Sequence, residues 1–301
     1  MNSEVLSICI PTRNRARYLR ELLSAFARQV AESGLGPEEV VFYISDNTSD
    51  DATPEVIREF AGQVPRVIYQ RNPANIGADR NILQVRTMGR GKYIWVVGDD
   101  ELLADQALVN LLRLIRQGEP GLILAYDAKY DLRLRVPQVF ADFRAFAEEC
   151  IHTNVHALAQ HSLISSNIYR ADCYDFDFAR QTLHTSYPQL YGMIRPLFEK
   201  NATVVLPDFP IIIMRETPAP AVDGFWINDL DALWVDYFKW LRSELQLPEL
   251  DPNAPSRHAR RALIKRIVRH PLRFLANNRR SILTPSAYLF VLNRLFRNSR
   301  K

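Results

Sequence analysis

The sequence predicts an α/β protein in which helices flank a mostly parallel sheet. Short apolar runs alternate with helical patterns through the first 126 residues, and polar loops follow the runs. The composition is that of an ordinary globular chain, with 47% hydrophobic and 24% charged residues among 301. The alternation stops after Tyr126, so we predict one domain with two halves, residues 1–126 and 127–250, followed by a tail.

Two strand–helix units open the chain. Val5 to Ile10 is a continuous apolar run that predicts a strand. A loop beginning at Pro11 separates it from a helical pattern with apolar residues on one face, at Tyr18, Leu19, Leu22, Leu23 and Phe26. Val40 to Ile44 predicts the second strand, and the next helix is predicted to have Thr53 as its cap and Pro54 at its first position.

Three further strands continue the alternation, at Val67–Tyr69, Tyr93–Val97 and Leu122–Tyr126. A helix with apolar residues at helical spacing separates the first two of these strands. A second helix, predicted to be capped by Asp105 and to end at Gly118, separates the last two. This order predicts a mostly parallel sheet with helices on both faces.

The segment from residue 127 to residue 250 is less regular. It predicts a helix after Pro188, short strands around Val204 and at Ile211–Met214, and a helix from Trp234 to Leu245. We expect this half to shape a pocket beside the first half.

Cysteine usage and charge indicate the compartment and the partners. Cys9, Cys150 and Cys173 are too far apart in sequence for a disulfide framework or a paired metal site, which favours a reduced, cytosolic compartment. We expect no secretory signal, and no run approaches the roughly 18 apolar residues of a membrane span. Of the 38 basic residues, 13 follow residue 256, and no acidic residue follows Asp251, so the preceding chain has 25 basic against 34 acidic residues, a net of −9.

The loop after the first strand lacks the glycines of common nucleotide-binding motifs. It reads Pro11-Thr12-Arg13-Asn14-Arg15, where a dinucleotide-binding fingerprint needs Gly-x-Gly-x-x-Gly. Gly89-Arg90-Gly91-Lys92-Tyr93 fails the Walker motif in its spacing and its last residue. The glycine-rich first loop of sugar-phosphate nucleotidyltransferases is missing too. A loop that binds phosphate through side chains and a metal remains.

Consecutive carboxylates follow the fourth predicted strand, in Gly98-Asp99-Asp100-Glu101. The carboxyl end of a buried strand is where open α/β sheets bind ligands, and carboxylates there can hold a divalent cation against a phosphate. The alternative is a helix-entry turn with no ligand. Polar segments also follow the first three strands, at Pro11–Arg15, Ser45–Asp51 and Asn75–Asn81.

These four segments, in this order at successive strand ends, resemble the family-two glycosyltransferases of the GT-A fold over roughly the first 125 residues. The Gly-Asp-Asp-Glu sequence and the preceding Trp95-Val96-Val97 are most similar to the abequosyltransferase-like branch, which acts on precursors of bacterial O-antigen and surface polysaccharide. The resemblance implies that residues 1–126 bind a nucleotide sugar and residues 127–250 bind the acceptor.

The resemblance also implies a role at each strand end. The residues implied in donor binding are Pro11, Thr12, Arg13, Arg15, Asp46, Arg80, Asp99 and Asp100. The first loop would contact the nucleotide, and its arginines, at a helix N-terminus, also suit a diphosphate. Asp46 would accept a hydrogen bond from the base, and Arg80 would hold the nucleotide or its phosphates. The alternatives are a solvated basic turn, an Asx turn at Asp46 and a surface arginine.

The family pattern for the metal site is Asp-x-Asp. Alignment on Leu102-Leu103 puts Val97 at the first carboxylate position and Asp99 at the second. Asp99 would then be the main ligand of Mg²⁺ or Mn²⁺, with Asp100 as a second ligand or a sugar contact. The metal would bridge the diphosphate and stabilise the departing nucleoside diphosphate. Because the first carboxylate is missing, a cationic side chain is the alternative to a metal.

An inverting transfer needs a general base for the acceptor hydroxyl. The family places an Asp on a loop that enters a helix in the second half, but the matching segment Thr182–Pro188 contains no carboxylate. His184 is the candidate base there, and a packed or surface histidine is the alternative. Asp172, Asp175 and Asp177 are the rival carboxylates.

The tail, residues 251–301, predicts basic amphipathic helices. Leu263, Ile264, Ile267 and Val268 share an apolar face among cations, which is typical of helices that lie on an anionic membrane. A helix packed on the acidic body is the alternative. We expect no nucleic-acid partner, since neither an aromatic platform nor a base-reading motif accompanies the charge.

The resemblance and these features together predict an inverting glycosyltransferase on the cytoplasmic face of the inner membrane. It would transfer a sugar from a nucleoside-diphosphate sugar to a lipid-linked oligosaccharide or a nascent surface polysaccharide. Val97 and the missing acidic base motivate the alternative, a nucleotide-sugar-binding or scaffolding protein of the same fold without catalysis.

Overall fold

The computed structural model describes residues 4–34, 39–125, 139–153, 158, 161, 163–185, 188–213 and 228–253. The chain divides into two compact units, residues 1–215 and residues 216–301. The predicted tail helices, beyond residue 253, lie outside the described residues. The division into two halves and a tail stays a prediction.

The described residues form ten strands. These are β1 (Leu6–Thr12), β2 (Val40–Asp46), β3 (Val67–Arg71), β4 (Tyr93–Val96), β5 (Leu102–Leu103), β6 (Leu122–Leu124), β7 (Val139–Phe140), β8 (Asn167–Arg170), β9 (Val204–Val205) and β10 (Ile212–Ile213). Eight of them form one sheet in the order β3-β2-β1-β4-β8-β6-β9-β7, and β5 pairs separately with β10. All ten belong to the first unit.

The first four sheet strands are parallel, as predicted. β1 lies between β2 and β4, and β2 pairs with β3. β1 and β2 are buried almost throughout, as expected for parallel strands covered on both faces. β8 runs antiparallel between β4 and β6, so the fifth predicted strand does not adjoin the fourth. Since parallel strands end at one edge, the polar loops after β1, β2, β3 and β4 share that edge.

Helices cover both faces of the sheet. In the first unit the helices are α1 (Ala16–Ser33), α2 (Thr53–Ala61), α3 (Ala78–Met88), α4 (Ala107–Gly118), α5 (Phe143–Thr153), α6 (Phe176–Gln181) and α7 (Pro188–Glu199). The second unit contains α8 (Asn228–Glu244). Helix α1 packs with α2 and α4 over one core. In this core the centre of the Phe26 ring lies 5.3 Å from that of Phe42 and 5.9 Å from that of Trp95. Helix α3 packs against β1 and β2, where Asn81 bonds Ser45. Two short 3₁₀ helices occupy Ile164–Ser166 and Leu183–Thr185.

Two predicted helix caps are wrong. Thr53 is the first residue of α2, and its hydroxyl and N–H both donate to Asp51. Gln106, with a left-handed φ of 55°, is the cap of α4, while Asp105 pairs with Arg28 at 3.2 Å. Both aspartates and threonines are common caps, so composition alone did not identify the residue whose backbone turns into the helix.

The three cysteines are buried free thiols. Burial raises the pKa of Cys9 to about 12 and that of Cys173 to about 11, which keeps both thiols protonated and unreactive. None of the helices in the described part of the chain has both the length and the apolar character that a membrane span requires.

Candidate active site

Asp99 lies at the centre of the polar edge of the sheet. Its Oδ2 accepts a hydrogen bond of 2.7 Å from the Thr12 hydroxyl, and the carboxylate also accepts from the Arg13 N–H. Only 9% of Asp99 is exposed, and this burial raises its pKa to about 7 even though the Thr12 bond and the charge of Arg15 oppose the rise. The loops after β1 and β4 therefore converge on a carboxyl that changes its charge near neutral pH.

Asp100 pairs with Arg15 beside this buried carboxyl. Arg15 Nη1 donates to Asp100 Oδ2 at 2.8 Å, with both side chains about a third exposed or less. The guanidinium also lies 5.6 Å from the centre of the Tyr18 ring. Arg13 is exposed on the same loop. The site thus places cationic groups next to the carboxylates, where an anionic ligand and a cation could both be held.

The loops after β1 and β2 are joined by direct hydrogen bonds. The Asn14 N–H donates to Ser49 Oγ, and Asn14 Oδ1 accepts from the Asp50 N–H, each at 2.9 Å. Asp51 Oδ2 accepts the N–H of Ala16, the first residue of α1, at 3.0 Å. Asp51 therefore serves two helix starts, those of α1 and α2, and the loop that carries Thr12, Arg13 and Arg15 is fixed by its neighbour.

Asp46 is the last residue of β2 and pairs in register with Thr12, but its side chain has no exposed surface. Asp46 Oδ1 accepts the Ser49 N–H at 2.8 Å, and Oδ2 accepts the Tyr69 hydroxyl at 3.0 Å. Burial and this bond to Asp46 raise the pKa of Tyr69 to about 12. Arg71, two residues along β3, donates to the Ser49 carbonyl. Asp46 thus accepts the N–H three residues further along, whereas the Asx turn weighed against its base-binding role would use the N–H two residues further along. A base that bonds Asp46 Oδ2 would have to displace the Tyr69 hydroxyl.

A network of buried amides connects the ends of β2 and β3 with α3. Asn47 Oδ1 accepts from the Ile76 N–H and from Asn72, while its Nδ2 donates to Asn75 and to the Gly77 carbonyl. These four bonds use the whole hydrogen-bonding capacity of an asparagine side chain. Asn47 therefore fixes the turn that leads into α3.

A second part of the network holds α3 itself against the sheet. Asn81 Oδ1 accepts from Ser45 Oγ at 2.7 Å and from Asn72 at 3.0 Å, and Asn81 Nδ2 donates to the Ser45 carbonyl. Arg80 is exposed on the first turn of α3 and makes no hydrogen bond to another residue in the described ranges. The network therefore presents Arg80 at the helix N-terminus, at the edge that carries Asp46.

The first carboxylate position of the family pattern is part of the core. Val97 has no exposed surface and belongs to the main hydrophobic cluster, while Glu101 is partly exposed. Within the described residues, no group of three or more His, Cys, Asp or Glu side chains could hold one metal ion. Asp99 and Asp100 still fit Mg²⁺ or Mn²⁺, because such ions are commonly held by one or two carboxylates together with substrate phosphates.

No hydrogen bond or ion pair in the described residues joins His184 to this group of residues. His184 is exposed in the 3₁₀ helix Leu183–Thr185, and its Nδ1 lies 3.2 Å from the Gln181 carbonyl oxygen. Among the rival carboxylates, Asp175 caps α6 by accepting the Phe178 N–H. Asp172 pairs with Arg170, whose hydrogen bond lowers the pKa of Asp172 to about 2. Asp172 and Asp175, two of the three rivals, therefore have structural partners.

Sequence analysis missed several residues that surround the site. Ser165 accepts the Gly98 N–H at 3.0 Å from a segment that no motif marked. Tyr69 belongs to a predicted strand and Asn47 to the polar segment Ser45–Asp51, but no role was predicted for either residue. Their hydrogen-bond partners come from other segments. A polar residue at a strand end is the signal that could have drawn attention to Asn47.

A mostly parallel sheet with polar loops and paired carboxylates at its carboxyl edge is the arrangement of the GT-A glycosyltransferase fold. S. aureus TarS in complex with UDP-GlcNAc has this fold, with a TM-score of 0.53 and 16% identity over 82% of this chain and 68% of that chain. A mannosyltransferase from Pyrobaculum calidifontis, PcManGT, in complex with GDP-Man and Mn²⁺, has a TM-score of 0.53 and 13% identity over 97% and 79%.

Residues 7–156 match the family model of glycosyl transferase family 2, and the chain belongs to this family through that domain. It is 28% identical over 229 residues to abequosyltransferase RfbV of Salmonella typhimurium, and the alignment covers 70% of this chain. The chain spans 66% of the length of that relative. The family, recognised from the four strand-end segments, is therefore confirmed, as is the similarity to an abequosyltransferase, recognised from Gly98–Glu101 and the preceding Trp95-Val96-Val97.

Proposed function

We propose that the protein is an inverting glycosyltransferase that moves a sugar from a nucleoside-diphosphate sugar to a lipid-linked oligosaccharide or a nascent surface polysaccharide. The observation that carries the proposal is that Thr12 at the end of β1, with Arg13 and Arg15 in the loop after it, converges on Asp99 and Asp100 after β4. This grouping combines donors for a diphosphate with oxygen ligands for a cation at the edge where α/β sheets bind nucleotides.

Each residue has a part in the proposed donor complex. Pro11 and Thr12 line the nucleotide, Arg13 and Arg15 bind the diphosphate, and Arg80 approaches it from α3. Asp46 holds the base-binding loop, and contacts the base when Tyr69 moves away from it. Solved structures of this fold that hold UDP-GlcNAc, or GDP-Man with Mn²⁺, support a nucleotide-sugar donor.

Asp99 and Asp100 would hold the Mg²⁺ or Mn²⁺ ion. When bound, the ion would act as a Lewis acid that stabilises charge on the departing diphosphate. Arg15 is the residue that must respond first, because Asp100 Oδ2 is occupied by its guanidinium. A phosphate that attracts Arg15 would release Asp100 for the cation, so the site is suited to bind the two ligands together.

The transfer itself would be direct. The acceptor oxygen would form a bond to the anomeric carbon as the bond to the diphosphate oxygen breaks on the opposite side, which inverts the configuration. We assign the general base to His184, the imidazole on the segment that enters α7, which would take the hydroxyl proton. Its exposure leaves it accessible to an acceptor.

The acceptor and the location follow from the relative and from the tail. The similarity to an abequosyltransferase supports a polysaccharide precursor as the acceptor. The 13 basic residues after residue 256 support binding to anionic lipid on the cytoplasmic face of the inner membrane. Deleting residues 254–301 should release the protein from vesicles containing phosphatidylglycerol in a sedimentation assay; equal binding by the shortened protein would contradict this role.

Asp99→Asn provides the test of the donor site. A thermal-shift screen of nucleoside diphosphates with and without Mn²⁺ first identifies the nucleotide, since a ligand of the native state raises the apparent stability. Asp99→Asn should then abolish Mn²⁺-dependent binding and donor turnover, whereas Asp105→Asn, whose side chain is 93% exposed, should retain both. Near-wild-type turnover by Asp99→Asn would refute the assignment. If the wild type binds the nucleotide tightly but shows neither sugar transfer nor donor hydrolysis, the alternative of a nucleotide-sugar-binding or scaffolding protein without catalysis is favoured.

A further inference from the structure

The loop that carries Asp99 and Asp100 has a support on the side away from β1. The Gly98 N–H donates to Ser165 Oγ at 3.0 Å. Ser165 belongs to the 3₁₀ helix Ile164–Ser166, directly before β8, and has no exposed surface. The serine lies 67 residues along the chain from the glycine.

The core fixes the position of Ser165. Trp95 Nε1 donates to the Ser165 carbonyl at 2.9 Å. Trp95 is fully buried in β4 and pairs with Ile168 of β8 in the antiparallel register. Its indole therefore joins β4, the strand before the loop that carries Asp99 and Asp100 (the carboxylate loop), to the 3₁₀ helix before β8. Since a buried indole has little freedom, the serine is held in one place.

The backbone of the carboxylate loop is supported on both sides in consecutive residues. The Val97 N–H donates to the Cys9 carbonyl of β1 at 2.9 Å, and the next N–H, that of Gly98, points to Ser165. A Cβ built on Gly98 would lie 3.4 Å from both Ser165 Oγ and Asp100 Oδ1, so the loop passes close to the serine. Without the hydroxyl, the Gly98 N–H would lose its partner and the loop would lose its last fixed point before Asp99.

We propose that Ser165 is a positioning residue for the donor site. It fixes the backbone at Gly98 so that Asp99 meets Thr12 and Asp100 meets Arg15. This inference rests on the proposed role of Asp99 and Asp100 in binding a metal and a diphosphate. It makes the donor site depend on a residue outside the four strand-end motifs.

Ser165→Ala tests the inference, with Ser166→Ala as the matched control. Ser166 is also buried, but its described hydrogen bonds are made by its backbone. Calorimetry with the nucleoside diphosphate selected by the screen gives the dissociation constant in Mn²⁺ and in EDTA. Ser165→Ala should weaken binding in Mn²⁺ by roughly 10–100-fold, the range found for residues that orient metal ligands, and leave binding in EDTA within about twofold. Ser166→Ala should change neither.

Further variants separate positioning from folding. Ser165→Cys keeps a weaker acceptor of similar size and should fall between the wild type and Ser165→Ala. It also decides the question if Ser165→Ala does not fold. Trp95→Phe, which removes the anchor of the serine, should weaken binding in the same direction.

The outcomes distinguish this inference from the proposed function. Unchanged Mn²⁺-dependent binding by Ser165→Ala, or equal losses in Mn²⁺ and EDTA, would overturn the positioning role. A Ser165→Cys variant as weak as Ser165→Ala in both conditions would do the same. If Asp99→Asn itself keeps Mn²⁺-dependent binding, the proposed donor site is wrong; if only Ser165→Ala keeps it, the donor site stands and the positioning role fails.

Discussion

Replacing Asp99 with asparagine should make the folded protein more stable at pH 8, although the change removes a proposed ligand. The carboxyl is 9% exposed, and burial raises its pKa from 3.8 to about 7. Asparagine keeps the shape of the side chain and can still accept the hydrogen bond from Thr12, but it carries no charge. The variant therefore avoids placing an ionised carboxylate in a buried site.

The magnitude follows from the two pKa values of Asp99. Because the folded-state value is the higher one, its contribution to stability is complete below pH 3.8 and is lost as the pH rises through about 7. Over the whole range the free energy of unfolding falls by about 4 kcal/mol, because each unit of difference between the two pKa values contributes about 1.36 kcal/mol. Between pH 5 and pH 8, the wild type should lose roughly 2–3 kcal/mol relative to Asp99→Asn. That difference corresponds to roughly 5 °C in Tm.

Thermal unfolding of the wild type and Asp99→Asn from pH 5 to pH 8 provides the assay. The difference in Tm between the two proteins isolates Asp99, since their other titrating groups are shared. Asp105→Asn is the control: its exposed carboxylate should give a difference that does not grow with pH. A constant difference for Asp99→Asn, or a wild type that is the more stable protein at pH 8, would refute the reasoning.

Two further predictions concern the neighbours of the carboxylates. Arg15→Ala should weaken nucleoside diphosphate binding about tenfold by calorimetry, since it removes a charge-assisted donor. Arg20→Ala, which breaks an exposed ion pair between α1 and α2, should leave the affinity unchanged. Equal affinities of the two variants would contradict the role of Arg15. Asn47→Asp replaces the two hydrogen bonds that Asn47 Nδ2 donates by repulsion between oxygens, so the free energy of unfolding in urea should fall by roughly 2 kcal/mol. An unchanged midpoint of urea unfolding would show that the amide network does not stabilise the fold.

The parallel part of the fold could be predicted because its signals are local. Continuous apolar runs indicated β1, β2 and β4, and a polar loop follows each of them. The family resemblance placed Thr12 and Asp99 in one donor site in advance, and the structure joins them by a hydrogen bond.

The rest depends on partners that are distant in sequence. β8 enters the sheet antiparallel to β4, and no turn signal links the two strands. Strands of two residues, such as β5 and β10, have no period to detect. Asp46 accepts a hydrogen bond from Tyr69, and the Gly98 N–H donates to Ser165, so each partner comes from another segment. The sequence drew attention to Asp46 and Gly98, but the contact that each makes with its distant partner is set by the tertiary structure.

The environment of Asp99 connects the stability of the protein with its proposed chemistry. Asp99 must lose its proton before its oxygens can accept a cation, and the fold holds that proton up to about pH 7. The same rise in pH that weakens the fold therefore prepares the carboxylate for a ligand. A protein selected for stability alone would place an amide or an apolar residue beside Thr12, so the retained carboxylate at a destabilising position is itself an argument that the site has a function.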